Sequence, residues 1–100
     1  MKAVAYVPFD AQLDVMRIRI LRAIRHFDWV QTVDLGDAIG IPRSHEDHLV
    51  RNNFDVTIGR LFRGGFLERM PQRGGFSLYR ITPAGRSLLE RELSRSLITA

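Results

Sequence analysis

Apolar residues recur along this chain at two different periods, and the changes of period mark its elements. From Leu13, the positions Met16, Ile20, Ala23, Ile24 and Phe27 fall on one face of a helix, as a repeat of 3.6 residues requires. Asp10 suits the N-cap, so a first helix is expected from there to about His26 or Phe27. Val15 and Ile18 lie on the opposite face beside Arg22 and Arg25, an apolar spot outside the core stripe. Trp29-Val30-Gln31 reads as a short extended link. Thr32 then caps a second helix, Val33 to Ile39, with Leu35, Ala38 and Ile39 inward and Gly40 as a left-handed C-cap.

The stretch from Arg43 to Asn52 is polar, with room for one helical turn around Glu46 to Val50. Asn52 or Asn53 caps a third helix whose buried stripe is Phe54, Ile58, Leu61 and Phe62. Asn53, Val56, Gly59, Arg60 and Arg63 point elsewhere, and Gly64-Gly65 ends the helix. Gly59 costs about 1 kcal/mol relative to alanine in mid-helix, which suggests a close backbone approach there, by the second helix or by a ligand. The period then drops to two. Phe66 to Met70 and Phe76 to Ile81 form a hairpin around Pro71-Gln72-Arg73-Gly74-Gly75. Tyr79 and Ile81 share one face and Phe76 and Leu78 the other. Either both faces are covered, one of them by residues 3 to 7, or a bulge shifts the register. Thr82-Pro83 opens a last helix that runs to about Leu97, with Leu89, Leu93 and Leu97 four residues apart.

Together these elements predict one domain over residues 1–100: an arm or strand at 1–9, a helical core at 10–63 with its third helix at 53–63, a hairpin at 66–81 and a C-terminal helix at 82–98. The expected class is mostly α with a small β-hairpin wing, a winged helix-turn-helix. Composition narrows the chemistry. The absence of cysteine excludes disulfides and thiolate metal sites. No apolar run approaches bilayer-spanning length, and Pro8 interrupts the N-terminus too early for a signal peptide, so a cytoplasmic, nucleoid-associated protein is expected. The formal net charge of +4 is unevenly placed. Residues 51–80 hold six arginines against Asp55 and Glu68, while the rest of the chain balances. Fourteen of the fifteen cations are arginine, whose planar fork fits phosphates and guanine edges.

Asn53, Thr57, Arg60 and Arg63 are therefore the candidates for base contact in a major groove. Each has a plainer reading beside it: Asn53 as helix cap, Thr57 as core, the two arginines as phosphate ligands. Arg73, at the hairpin tip, suits a narrow minor groove or a solvated turn. Arg69 and Arg80 flank the hairpin as phosphate grips, and Arg43 and Arg51 bracket the polar segment as further backbone contacts. His45 and His48 lie three apart but lack a third ligand, so no metal and no cofactor are expected. No nucleophile–base pair or phosphate-binding glycine loop stands out, and an enzyme is not expected. The surplus apolar residues Val15, Ile18, Leu93, Leu97 and Ile98 predict a homodimer.

The run Leu61-Phe62-Arg63-Gly64-Gly65-Phe66-Leu67-Glu68-Arg69, followed by Tyr79-Arg80-Ile81-Thr82-Pro83-Ala84-Gly85, resembles bacterial winged helix-turn-helix regulators, most of all the MarR and PadR groups. The resemblance covers roughly residues 13 to 97. It implies a third helix in the major groove, a wing on an adjacent minor groove or backbone, and terminal helices that pair two subunits. The expected function is a sequence-specific, double-stranded-DNA-binding transcriptional regulator acting as a homodimer. An effector would bind between the terminal helices and the DNA-binding core, or a regulatory protein partner would exert control. Two alternatives keep the fold: a protein–protein interaction module (an adaptor or a phage-encoded inhibitor), or a DNA-binding component of a replication or partition system.

Overall fold

Four helices and three short strands follow one another in the computed structural model, which describes residues 9–43 and 48–99, with side chains over 14–43 and 48–95. They are α1 (Phe9–Ile24), β1 (Val30–Gln31), α2 (Thr32–Ala38), α3 (His48–Arg63), β2 (Leu67–Pro71), β3 (Ser77–Ile81) and α4 (Pro83–Thr99). Ile20, Leu21 and Ile24 of α1 meet Leu35, Leu61 and Leu67 in a fully buried centre, with Phe54, Ile58, Leu88 and Leu89 around it. Each such side chain contributes about 1.5–3 kcal/mol of burial.

Helix ends explain several departures from the expected boundaries. The helix α1 begins at Phe9, so Asp10 lies inside it. It stops at Ile24, where the amides of His26 and Phe27 turn to carbonyls three residues back, on Ala23 and Ile24. Phe27, beyond the helix end, is exposed, while Leu21, outside the expected stripe, is fully buried. Thr32 is already helical; Gln31 occupies the cap position and makes no side-chain capping bond. In α2, Leu35 and Gly36 are buried while Ala38 is exposed. Gly36 faces the Phe54 ring, which lies 3.7 Å from where a Cβ would stand.

Two helices end in the same way. In α2 the amides of Gly40 and Ile41 bond Asp37 and Gly36; in α3 those of Gly65 and Phe66 bond Phe62 and Leu61. This is the paired-bond stop that needs a left-handed residue, and Gly40 (φ 79°) and Gly65 (φ 82°) supply it.

The third helix starts at His48, five residues earlier than expected. Residues 44–47, including His45, lie outside the described residues, as do residues 1–8 and any cover they give the hairpin. Neither asparagine caps α3. Both sit in its interior, and the carbonyl and side-chain oxygens of Asn53 accept from the Thr57 hydroxyl at 2.6 and 3.3 Å.

The hairpin is one part of a three-stranded antiparallel sheet in the order β1-β3-β2. The expected link Trp29-Val30-Gln31 therefore contains a strand, with Val30 opposite Tyr79 and Gln31 opposite Leu78. The register from Leu67↔Ile81 to Pro71↔Ser77 is unbroken, so no bulge intervenes. Tyr79 and Ile81 pack inward with Val30 and Leu67, while Leu78 stands on the outer face with Gln31 and Met70. Thr82 then ties the sheet to the last helix. Its hydroxyl donates to the Gly65 carbonyl at 2.7 Å and accepts from the Gly85 amide at 3.1 Å, capping α4 as the Thr82-Pro83 pair predicts.

Candidate nucleic-acid interface

Burial of Phe54, Thr57, Ile58 and Leu61 fixes which line of α3 faces outward. At roughly 100° per residue, the opposite line runs through Leu49, Asn52, Val56, Gly59 and Arg63. Arg60 and Asn53 lie on one flank of it and Asp55 on the other. Leu49 is 86% exposed, the most exposed of the large apolar residues among those described. Arg60 and Arg63 are exposed, and their guanidinium groups make no hydrogen bond or ion pair among the described residues. The Arg63 guanidinium folds back over Gly59, where an added Cβ would lie 3.1 Å from Nη1. Gly59 thus makes room for a cation of its own helix and not for α2.

The wing is held against the end of α3 by stacked side chains. The Arg69 guanidinium lies 4.5 Å above the Phe62 ring, and Phe62 meets Tyr79 edge to face at 6.5 Å. Arg69 and Tyr79 are cross-strand partners, so one cluster sets the position of the sheet relative to the helix. Phe62 is accordingly half-buried and turned to the wing, outside the core stripe in which it was expected. Arg73 stands in the turn between β2 and β3, closed by the Gln72 amide on the Phe76 carbonyl at 2.8 Å. It is exposed and has no partner among the described residues.

Four of the expected contact residues are differently occupied. Thr57 is 2% exposed and offers no surface to a ligand. Arg80 donates to Glu68 at 2.9 Å, reaches Asp28 at 3.5 Å and lies 4.3 Å above the Trp29 ring; it braces the sheet. The Glu68 hydrogen bond holds its guanidinium still more firmly protonated. Arg43 grips Asp37 with both arms of its fork, one bond at 3.0 Å. That hydrogen bond holds the Asp37 carboxyl below the usual carboxylate range. Arg51 is half-buried and directs Nη1 to the Pro42 carbonyl at 3.4 Å.

The structure therefore brings Arg60 and Arg63 onto one exposed surface of α3, with Arg73 exposed at the wing tip and Arg69 exposed on β2 with its guanidinium over the Phe62 ring. Asn53 borders the helix surface but is half-buried and occupied by Thr57. Sequence reasoning missed Leu49 and Asn52, because it began the helix too late. The signal was Val50, four residues before Phe54, which carries the same stripe one turn further back.

Of the expected dimer residues, Val15 is 56% exposed. Ile18 and Leu93 are half-buried against the protein's own core. The side chains of Leu97 and Ile98 lie outside the described residues. Among the described residues, no set of three potential ligands is placed to hold a metal ion, and no helix is long and apolar enough to cross a membrane.

This arrangement of helices, sheet and wing is a winged helix. Among solved structures it is similar to a transcriptional regulator of the MarR family from Silicibacter pomeroyi, with a TM-score of 0.62 and 18% identity. The match covers 83% of this chain and 57% of that one, so the chain spans little more than half the regulator's length. At this identity the likeness is one of fold. No protein-family model matches the sequence, and none of the curated proteins compared with it is similar.

Proposed function

We propose that the protein is a transcriptional regulator that binds double-stranded DNA sequence-specifically as a homodimer, with α3 in the major groove and Arg73 on the minor groove or the backbone. The observation that carries this reading is the placement, on the outer side of α3 and at the wing tip, of three guanidinium groups without a carboxylate partner among the described residues. Arg60, Arg63 and Arg73 stand exposed on the outer side of α3 and at the wing tip, whereas Arg43 and Arg80 are neutralised within the fold. A cation kept free of its own protein's carboxylates is available to phosphate, and phosphate contacts dominate affinity for DNA. The MarR-family regulator with the same fold supports the reading.

Binding is expected to weaken steeply with salt. For about eight neutralised phosphates across a dimer, the log–log slope is about −7. Replacing Arg60, Arg63 and Arg73 with alanine together abolishes the gel shift. An affinity that does not change between low and moderate salt, or one that survives the triple replacement, overturns the proposal. Intact capture of a protein partner by the triple variant would instead favour the interaction-module reading.

A further inference from the structure

We propose that the N-terminal half of α3 reads A·T base pairs, with Leu49 and Val56 against thymine methyl groups and Asn52 on adenine. The inference rests on the reading that α3 enters the major groove, and it assigns that groove's sequence class.

The outer line of α3 changes character along its length. Its first three turns present the exposed Leu49 and Asn52 and the half-buried Val56, two apolar side chains and an amide; its last turn presents Arg60 and Arg63. The one cation in the first part, Arg51, is turned to the Pro42 carbonyl. The readers thus stand apart from the charged grips. An exposed leucine on this line buries its side chain on binding where the ligand offers an apolar surface. Within the major groove that surface is the thymine methyl, and an asparagine one turn on matches the N6 and N7 edge of adenine. The position along the helix agrees, since the N-terminal residues of a recognition helix are the ones that reach base edges.

Leu49 and Val56 are separated by about 10 Å along the helix axis, which is about three base-pair steps. The window is therefore a short run of A·T pairs. Asp55 fixes which side meets the backbone. It lies two turns before Phe62 on the flank that faces the wing, and an exposed carboxylate there repels phosphate. The opposite flank, with Arg60, takes the strand.

The test uses the thymine methyl itself. Sites are selected from random duplex DNA by the full chain, and each thymine of the enriched site is then replaced by uracil, which lacks only that methyl. Wild-type protein is expected to lose about fourfold in affinity at each contacted position. Leu49→Ala removes the loss at one of these positions and Val56→Ala at another. Uracil that is neutral at every position, a loss that persists unchanged in both variants, or enriched sites without a run of A·T pairs overturns the inference. If those results accompany binding that still depends on Arg60, Arg63 and Arg73, only the base assignment fails. If no duplex is bound at all, the proposed function fails with it.

Discussion

Gly85 owes its place to a neighbour. A Cβ at this position would collide with the Phe66 carbonyl oxygen and lie 2.8 Å from Ile81 Cγ1. The first turn of α4 can press against the start of β2 only without a side chain. Gly85→Ala is therefore expected to destabilise the fold by about 1–3 kcal/mol, with about 4–8 °C lost in Tm for each kcal/mol; thermal unfolding followed by circular dichroism measures it. Arg43 shows how a single contact decides a role. Because its fork holds the Asp37 carboxyl at a low pKa, the pair's contribution to stability is present at neutral pH. It is lost as pH falls through the folded pKa of Asp37. Arg43→Ala raises the Asp37 pKa in an NMR titration. Since this arginine is already neutralised, the variant leaves the salt dependence of DNA binding unchanged, and a shallower slope would return Arg43 to the interface.

The wing shows what could be read in advance and what could not. Local rules placed its two strands, the turn at Gln72–Phe76 and the Thr82-Pro83 helix start to within a residue. Alternation, turn chemistry and capping are all decided by near neighbours. The pairing of β1 with β3 is decided by residues far apart in sequence, and nothing in Trp29-Val30-Gln31 announces it. That one pairing resolves the two-faced alternation of Leu78 and Tyr79 without a bulge. It also accounts for Arg80. In sequence Arg80 is one more cation in a basic stretch; in the sheet it lies across Glu68 and above Trp29. The surplus of positive charge was legible, but its division into free and engaged arginines depends on cross-strand neighbours that no local pattern specifies. The two wing arginines should accordingly separate. Arg73→Ala, which removes one contact from each subunit, reduces the magnitude of the log–log salt slope of the dimer by about 2. Arg80→Ala leaves that slope unchanged and instead speeds hydrogen exchange at the β1 amides, since it removes the brace between β1 and the hairpin. Equal effects of the two replacements on the slope would show that the Glu68 pairing does not withhold Arg80 from DNA.

The molecule as a whole presents one α3 per chain, and a single short window of base pairs gives little discrimination. Two copies related by a twofold axis would set two such helices about 34 Å apart on successive major grooves, and linkage of the two half-sites multiplies affinity by about 10²–10⁴. Val15 is the described residue best placed to join the copies. It is 56% exposed on α1, on the side away from the core, whereas Ile18 and Leu93 already spend part of their surface inside their own subunit. A carboxylate in place of Val15 would be costly to bury between subunits and harmless on a free surface. Val15→Glu is therefore expected to shift the protein from dimer to monomer in sedimentation equilibrium. It weakens binding to an inverted repeat by orders of magnitude while leaving binding to a single half-site unchanged, because α3 is untouched. A Val15→Glu variant that remains dimeric, or a wild type that is monomeric at micromolar concentration and binds the repeat no better than the half-site, would remove the apolar face of α1 from the account of how the protein holds DNA.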